Sequence, residues 1–293
     1  MKQLLSNFVL ILSFILSASV WAECPVGDNS NVQLQILGSG GPNGNGDRAS
    51  SAYVLWVDGV GRILVDAGSG TKLAFDQSGA NFDDIDLVAL SHFHPDHSAE
   101  LPALLWTPPR GSIRVSGPTG SDQVPSLDSF LESLFGEKGA FSVTYGRLEF
   151  DPITVDVNGT DVTEVWRDGS ILVQGRSVPH GTIPAVGYRV DIGDTSIAFT
   201  SDQNGSDPTF IDFINDVDVL VVHMTTTEDA NSALHAKPSV WGQMAESANA
   251  GRVVISHIGS GSPEVVAESV GILRENYSGP VTVGEDLLCV EVI

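Results

Sequence analysis

The chain has 293 residues, of which 42% are hydrophobic, so it can form one large globular domain with a buried core and is too short for three. Its formal net charge of −23 arises from 37 acidic and 14 basic residues. A surface this acidic repels polyanions, which argues against nucleic acid as a partner.

The first 22 residues predict a secretory signal peptide. Lys2 precedes an apolar run from Phe8 to Leu16, and small residues lead up to Ala22. An uncleaved membrane anchor is the alternative, but the run is short for a span of about 20 residues and has no basic flank. We therefore expect a single domain over residues 23–293 that is periplasmic or secreted and has no membrane contact after cleavage.

The only two cysteines, Cys24 and Cys289, lie at opposite ends of the predicted mature chain. Because the compartment outside the cytoplasm is oxidising, we predict a disulfide that ties the terminal segments together. The alternative is two unrelated thiols.

Strand-like segments begin at residue 32, where apolar runs rich in Val, Ile and Leu recur between turn signals. These runs cover residues 32–37, 52–57, 62–68, 86–92, 170–175, 185–190, 196–202, 217–224, 252–258 and 287–293. Helical patterns fit residues 98–106, 122–135, 238–250 and 263–276. Hairpin-like strand pairs dominate early and strands alternate with helices late, without a clear repeat. The pattern predicts a mixed α/β architecture in which helices cover sheets.

The segment SHFHPDH holds three of the chain's seven histidines and an aspartate within six positions. His92 and His94 are two residues apart at the end of a predicted strand, so both side chains should leave the same face. Pro95 would end the strand, with Asp96 and His97 in the following turn. Imidazoles and carboxylates ligate zinc and similar ions, and four of them could feed two ions. A hydrogen-bonded core or surface histidine, the alternative for any one of them, does not account for the cluster.

The other four histidines also lie at predicted strand ends or in loops, where a side chain can project into a shared cleft. They are His180, His223, His235 and His257. Asp202 follows the apolar run SIAFT in the same way. Its carboxylate could bridge two cations, although alone it would suit an ordinary Ser-Asp turn.

With these motifs in this order, the chain resembles the metallo-β-lactamase superfamily and, within it, the ribonuclease Z-like and exported arylsulfatase-like branch. The motifs are ILGSGGP, ILVDAGSGT, SHFHPDH, IRVSGPTG, VPHGTIPAVGYRV, FTSD, VDVLVVH, LHAKPS and VISHIG. The resemblance covers nearly the whole predicted mature chain. It implies an αβ/βα four-layer sandwich, in which two mixed sheets are flanked by helices and the metals lie at one edge of the sheets.

The resemblance also implies a set of metal ligands. His92, His94 and His180 would hold one ion, Asp96, His97 and His257 the other, and Asp202 would bridge them. The cofactors would be two divalent metal ions, with zinc as the first choice and manganese or iron as alternatives. Asp66, in the VDAG motif, would support a ligand or the local structure.

Such a centre implies hydrolysis by a hydroxide that bridges two ions about 3.5–4 Å apart, with Asp96 orienting it. His235 matches the histidine that ribonuclease Z-like enzymes place near the leaving group, as a general acid or a phosphate contact. In that family an acidic residue usually follows the strand formed here by VDVLVV, whereas this chain has His223. An imidazole at this position lacks the negative charge that would keep His235 protonated, which argues against His235 as a proton donor. His223 itself would be a substrate contact or a packed loop residue.

A bridging Asp202 and the GYRV segment resemble phosphodiesterases and related ester hydrolases more than β-lactamases, which lack that carboxylate. Residues 98–179 carry 6 basic and 11 acidic residues and no long basic arm, so we expect no nucleic acid partner. We therefore predict a hydrolase. A small phosphodiester is the first choice of substrate, a sulfate ester is the second, and lactones or β-lactams are the third. A metal-binding protein without turnover and a homodimer also stay open.

The wall of the substrate site is expected to come from residues 104–110, 122–135 and 224–234. Trp106 and Phe135 could stack on an aromatic leaving group. Core packing is the alternative for each and is favoured for Phe135.

Overall fold

The computed structural model describes Cys24 and residues 31–43, 48–259 and 261–293. The predicted signal peptide, residues 1–22, lies outside the described residues. Among the residues that are described, no helix has the length and apolar character needed to cross a membrane.

Strands and helices alternate along most of the described chain. The strands are β1 (Val32–Gly38), β2 (Ala52–Val57), β3 (Val60–Val65), β4 (Leu87–Ala89), β5 (Ile113–Pro118), β6 (Phe150–Val155), β7 (Thr163–Asp168), β8 (Ile171–Ser177), β9 (Val186–Ile192), β10 (Thr195–Phe199), β11 (Val219–His223), β12 (Val253–Ser256), β13 (Val281–Val283) and β14 (Cys289–Glu291). The α-helices are α1 (Thr71–Ser78), α2 (Pro95–Ser98), α3 (Leu101–Leu104), α4 (Leu127–Phe135), α5 (Phe210–Phe213), α6 (Pro238–Ser247) and α7 (Pro263–Glu275).

The strands form two seven-stranded sheets, ordered β14-β1-β2-β3-β4-β5-β6 and β13-β12-β11-β10-β9-β8-β7. In each sheet, antiparallel neighbours give way to parallel ones: β3 to β6 are parallel in the first, and β10 to β13 in the second. Hairpins dominate the early chain as expected, in β1 to β3, but they recur in β7 to β10. Each half contains antiparallel pairs and then parallel strands joined by helices, so the topology recurs where the sequence shows no repeat.

The two sheets pack face to face, and helices cover their outer faces. In β2, Tyr53 and Leu55 face the core between the sheets, while Val54 faces the helices on the first sheet. In β11, Val221 faces the central core and Val222 faces the helices on the second sheet. Because both faces of such strands are buried, their sequences are continuous apolar runs. The predicted αβ/βα four-layer sandwich is confirmed.

The helix predicted at residues 98–106 is replaced by two short helices, α2 and α3. Proline has no backbone N–H and fits a helix only in its first turn, which is where Pro95 and Pro102 both lie. One continuous helix would have put Pro102 in its interior. The other predicted helices are present as α4, α6 and α7, with α4 beginning five residues later than expected.

The predicted disulfide between Cys24 and Cys289 is present, with the two Cα atoms 5.7 Å apart. Cys289 begins β14, the strand that pairs antiparallel with β1 at the edge of the first sheet. The bond therefore ties the chain before β1 to the strand that closes that edge.

Candidate metal centre

The candidate ligands meet at one edge of the sandwich because they follow the carboxyl ends of its strands. β10, β11 and β12 are parallel, so their ends lie together. Asp202 follows β10, His223 ends β11, and His257 follows β12. The segment containing His92 follows β4 in the other sheet, so both sheets contribute to the site.

The local structure of SHFHPDH differs from the sequence-based expectation. β4 ends at Ala89, so His92 and His94 lie in a loop, and the prediction that a strand directs them to one face is wrong. After the strand, the Ser91 backbone N–H donates to Asp66 Oδ1 at 2.7 Å. Pro95 begins α2, so Asp96 and His97 lie on a helix.

Six of the predicted metal ligands and His223 come together around the seventh, Asp202. The first group consists of His92, His94, His180 and Asp202, and the second of His97, Asp202, His223 and His257; the potential ligand atoms within each group lie within 4.8 Å of one another. Asp96 stands beside the second group, with its Oδ2 3.1 Å from His257 Nε2 and 3.6 Å from His97 Nε2.

The hydrogen bonds around His180 and His97 orient their lone pairs into the site. A carbonyl or carboxylate only accepts, so His180 Nδ1 donates to Leu234 O at 3.0 Å and His97 Nδ1 donates to Asp66 Oδ2 at 2.8 Å. The buried His180 Nε2 has no hydrogen-bond partner. A histidine whose outer nitrogen donates to an acceptor and whose inner nitrogen is unpartnered has the arrangement of a metal ligand.

The nitrogens of His97 and His257 that face each other also indicate a site for a cation. The Thr225 hydroxyl donates to the His257 carbonyl at 3.2 Å, so His257 Nδ1 in turn donates to Thr225 Oγ1. His257 Nε2 is therefore a lone pair, and it lies 3.0 Å from His97 Nε2. Nitrogens this close need a cation or a proton between them, and although burial lowers the pKa of His97, neighbouring Asp202 and Asp66 raise it well above its ordinary value. The chemistry of this donor set fits a divalent metal ion.

The pKa values show how strongly the site prefers a cation. Burial lowers the pKa of His92, His94 and His180, which keeps those ligands neutral. Burial alone would raise the pKa of Asp202, but neighbouring His257 and His97 hold it well below its ordinary value. Asp202 is thus a buried carboxylate anion surrounded by imidazoles.

His223 and His235 are both adjacent to Asp202. His223 Nδ1 lies 2.8 Å from Asp202 Oδ1, and His235 Nδ1 lies 3.8 Å from Asp202 Oδ2. Burial is the main cause that lowers the pKa of each to about 4. Both imidazoles are therefore neutral near pH 7, and His235 does not have the proton expected of a general acid.

The structure separates both predicted aromatic contacts from the site. Phe135 is 4% exposed and belongs to the core between α4 and the first sheet, which confirms the core packing that the sequence favoured for it. Trp106 is 60% exposed and lines a cavity with Phe82 and Arg110, and none of the described site histidines lines that cavity. Loop 224–234 does reach the site, through Leu234.

Three supporting residues were not predicted from the sequence. Ser91 Oγ lies 3.1 Å from His92 Nδ1, Thr225 contacts His257, and the Tyr53 hydroxyl lies 3.1 Å from His223 Nε2. Ser91 precedes a histidine motif and Thr225 follows soon after a histidine, which was the available signal. Tyr53 lies within an apolar strand and looks like a core residue.

A family model described as a beta-lactamase superfamily domain matches residues 61–258. Among characterised relatives, a ribonuclease Z of Clostridium tetani is 27% identical over 166 residues, covering 55% of this chain and 51% of the relative. A ribonuclease Z of Mycobacterium bovis is 23% identical over 284 residues, covering 89% and 98%. The chain thus spans about half the length of some relatives and nearly all of others.

Solved structures share the fold. The metallo-beta-lactamase fold protein YhfI from Bacillus subtilis superposes with a TM-score of 0.72 at 18% identity, covering 89% of this chain and 99% of that one. The short form of human tRNase Z gives a TM-score of 0.71 at 21% identity, with coverage of 89% and 99%. Zn²⁺-bound PqqB from Methylobacterium extorquens gives 0.65 at 18%, with coverage of 88% and 99%.

Proposed function

We propose that this chain, which belongs to the metallo-β-lactamase superfamily and to its ribonuclease Z-like branch, is an exported enzyme that hydrolyses a small phosphodiester with two divalent metal ions. The single observation that carries the proposal is Asp202, whose buried carboxylate is shared by two groups of histidines.

The proposed ligands follow from these groups. His92, His94 and His180 would hold one ion, His97, His257 and Asp96 the other, and Asp202 would contact both. When bound, two divalent ions lower the pKa of a shared water and polarise the ester oxygen, which is the chemistry that ester hydrolysis needs.

The chain's own residues then orient the reactants. Asp96 is ionised near neutrality: burial would raise its pKa, but the neighbouring His257 and His97 lower it. Its carboxylate can orient an attacking water and accept its proton. His235, being neutral, would donate a hydrogen bond to a phosphoryl or leaving-group oxygen and not transfer a proton to it.

The choice of a small phosphodiester has two supports. Relatives across most of the chain are named ribonuclease Z, and RNA is a phosphodiester. The cavity of about 270 Å³ beside His180 is lined by uncharged side chains such as Ser121, Asn158 and Thr182, with no Lys, Arg, Asp or Glu among its described lining residues. A neutral cavity on a protein of net charge −23 suits an uncharged ester substituent better than a polyanion.

Turnover of defined esters tests the activity. Protein loaded with zinc or manganese would be assayed on bis-p-nitrophenyl phosphate, p-nitrophenyl sulfate, a lactone and nitrocefin. We expect bis-p-nitrophenyl phosphate to turn over fastest, Trp106→Ala to retain activity, and His94→Ala to lose it. Preferential turnover of the sulfate would replace the phosphodiester with a sulfate ester. Absence of any turnover above His94→Ala would overturn the hydrolase proposal.

Metal content and export have their own measurements. Elemental analysis should find close to two ions per chain, and one ion only would remove the shared role of Asp202. Intact mass of protein from the periplasm or medium should correspond to a chain that begins at Glu23. Retention of residues 1–22 in a cytoplasmic fraction would overturn export.

A further inference from the structure

Tyr53 is the only tyrosine among the described residues whose hydroxyl contacts the metal-site histidines. It lies on β2 of the first sheet, is fully buried, and reaches across the central core to the second sheet. There its hydroxyl lies 3.1 Å from His223 Nε2 and 2.8 Å from Ser256 Oγ. Its ring packs against Phe199, with centroids 5.3 Å apart.

Hydrogen-bond accounting assigns a direction to the contact between His223 and Asp202. Asp202 is a carboxylate and only accepts, so His223 Nδ1 carries the proton and donates to Asp202 Oδ1 at 2.8 Å. The other ring nitrogen, Nε2, is buried, and the Tyr53 hydroxyl lies 3.1 Å from it. The tyrosine hydroxyl has one proton, which it can donate either to Nε2 at 3.1 Å or to Ser256 Oγ at 2.8 Å. The Ser256 hydroxyl can donate to the tyrosine oxygen, so each of these buried polar atoms is satisfied.

The hydrogen-bonded series ends on the carboxylate that both histidine groups share. Asp202 Oδ1, held by His223, also lies 3.4 Å from His257 Nε2 in the second group. Asp202 Oδ2 lies 3.8 Å from His180 Nε2 and 4.0 Å from His92 Nε2 in the first group, and 3.6 Å from His97 Nε2 in the second. A carboxylate oxygen has two lone pairs, so Oδ1 can accept from His223 and still face a cation.

We infer that Tyr53 is a positioning residue for the proposed dinuclear centre: by donating to His223 Nε2 it fixes the ring so that Nδ1–H holds the shared carboxylate of Asp202 between the two groups of histidines. The inference rests on the proposed function, because it assumes the dinuclear centre. Its test measures zinc affinity and needs no hydrolytic activity. Outer hydrogen bonds of this kind typically change metal affinity by about 10–100-fold.

Tyr188 provides a matched control. It is also fully buried in the core between the sheets, and its hydroxyl donates to Leu90 O at 2.9 Å and lies 3.1 Å from Ser116 Oγ. Tyr53→Phe and Tyr188→Phe each remove one buried hydroxyl that has two partners. They differ in that only Tyr53 contacts the histidines of the site.

The experiment is a zinc titration of both variants and the wild type against a chromophoric chelator, with elemental analysis at limiting zinc. We expect Tyr53→Phe to bind at least one ion about 10–100-fold more weakly, and Tyr188→Phe to bind as the wild type does. Excess zinc should restore kcat on bis-p-nitrophenyl phosphate in Tyr53→Phe, because occupancy is what the hydroxyl controls. Equal zinc affinity in the two variants overturns the inference.

If Tyr53→Phe does not fold, Ser256→Ala takes its place, with Ser116→Ala as its control, because each removes the serine beside one tyrosine hydroxyl. Ser256→Ala should weaken zinc binding and Ser116→Ala should not; equal affinities again overturn the inference. The titration needs no substrate. If the wild type binds two ions but hydrolyses nothing, the proposed function fails while the role of Tyr53 is still decided by affinity.

Discussion

Asp66→Asn should weaken metal binding without disturbing the fold around it. Asp66 is buried and accepts three hydrogen bonds: from Ser91 N at 2.7 Å, from Ser91 Oγ at 2.9 Å and from His97 Nδ1 at 2.8 Å. Its φ of 58° is in the left-handed region, which asparagine tolerates well. The change therefore keeps shape and backbone and replaces only the charge and one acceptor.

The expected magnitude follows from the bond to His97. Asp66 accepts from Ser91 N through Oδ1, and from Ser91 Oγ and His97 Nδ1 through Oδ2. The asparagine of the variant has one oxygen acceptor and an NH₂ donor in place of the second oxygen, so it cannot keep both sets of bonds. His97 loses a charge-assisted partner that fixes its Nδ1–H tautomer. Removing such a partner typically costs about 10–100-fold in metal affinity, or about 1.4–2.7 kcal/mol.

A chelator competition assay with zinc measures this directly, and Asp218→Asn supplies the control. Asp218 accepts from Ser196 N at 2.7 Å and Ser196 Oγ at 3.1 Å, which resembles the pattern that Asp66 makes with Ser91. It precedes β11, at the opposite end of that strand from His223. Zinc affinity in Asp66→Asn that matches Asp218→Asn would refute the reasoning that the outer bond to His97 sets affinity.

Three further outcomes are expected. Removing metal with a chelator should lower the thermal midpoint and abolish hydrolysis together, because metal that binds only the folded state stabilises it; an unchanged midpoint would contradict this. Replacing Cys24 and Cys289 with serine should lower the free energy of unfolding by about 2–5 kcal/mol in denaturant titration, since the bond joins residues 265 apart; a change below the error of the titration would show that the denatured chain is not constrained. Trp106→Ala should leave the melting temperature and turnover near wild type, whereas Phe135→Ala should cost about 3–5 kcal/mol, and reduced turnover in Trp106→Ala would return it to the substrate site.

The strands that could be predicted are those buried on both faces. β2, β11 and β12 contain continuous apolar runs because helices or the other sheet cover each side, and β1 is also fully buried although it contains Gln33 and Gln35. Three of the strands missed, β6, β7 and β13, lie at sheet edges and are largely polar or only partly buried. β6 also contains Pro152, which an edge strand tolerates and which weakens a strand pattern. A strand that is buried on one face, or only partly buried, lacks the continuous apolar run by which the other strands were predicted.

The candidate site could also be predicted only in part. The histidines and Asp202 could be predicted because their residue types are rare or because each follows an apolar run. Which nitrogen of each ring carries the proton could not, because that depends on partners far away in sequence, such as Asp66 for His97 and Leu234 for His180. Tyr53 was missed for a similar reason. Its partner His223 is 170 residues away and in the other sheet.

The pairing of β14 with β1 has a consequence for how the protein folds during synthesis. Gln33 pairs with Glu291 and Gln35 with Cys289, so the outer edge of β1 has no partner until nearly the whole chain has left the ribosome. Until then β1 presents open N–H and C=O groups, the kind of edge that recruits other chains. Contacts this distant in sequence also slow folding. Partly synthesised or truncated chains should therefore aggregate through β1, and chaperones that bind extended apolar segments should protect that edge until β14 arrives.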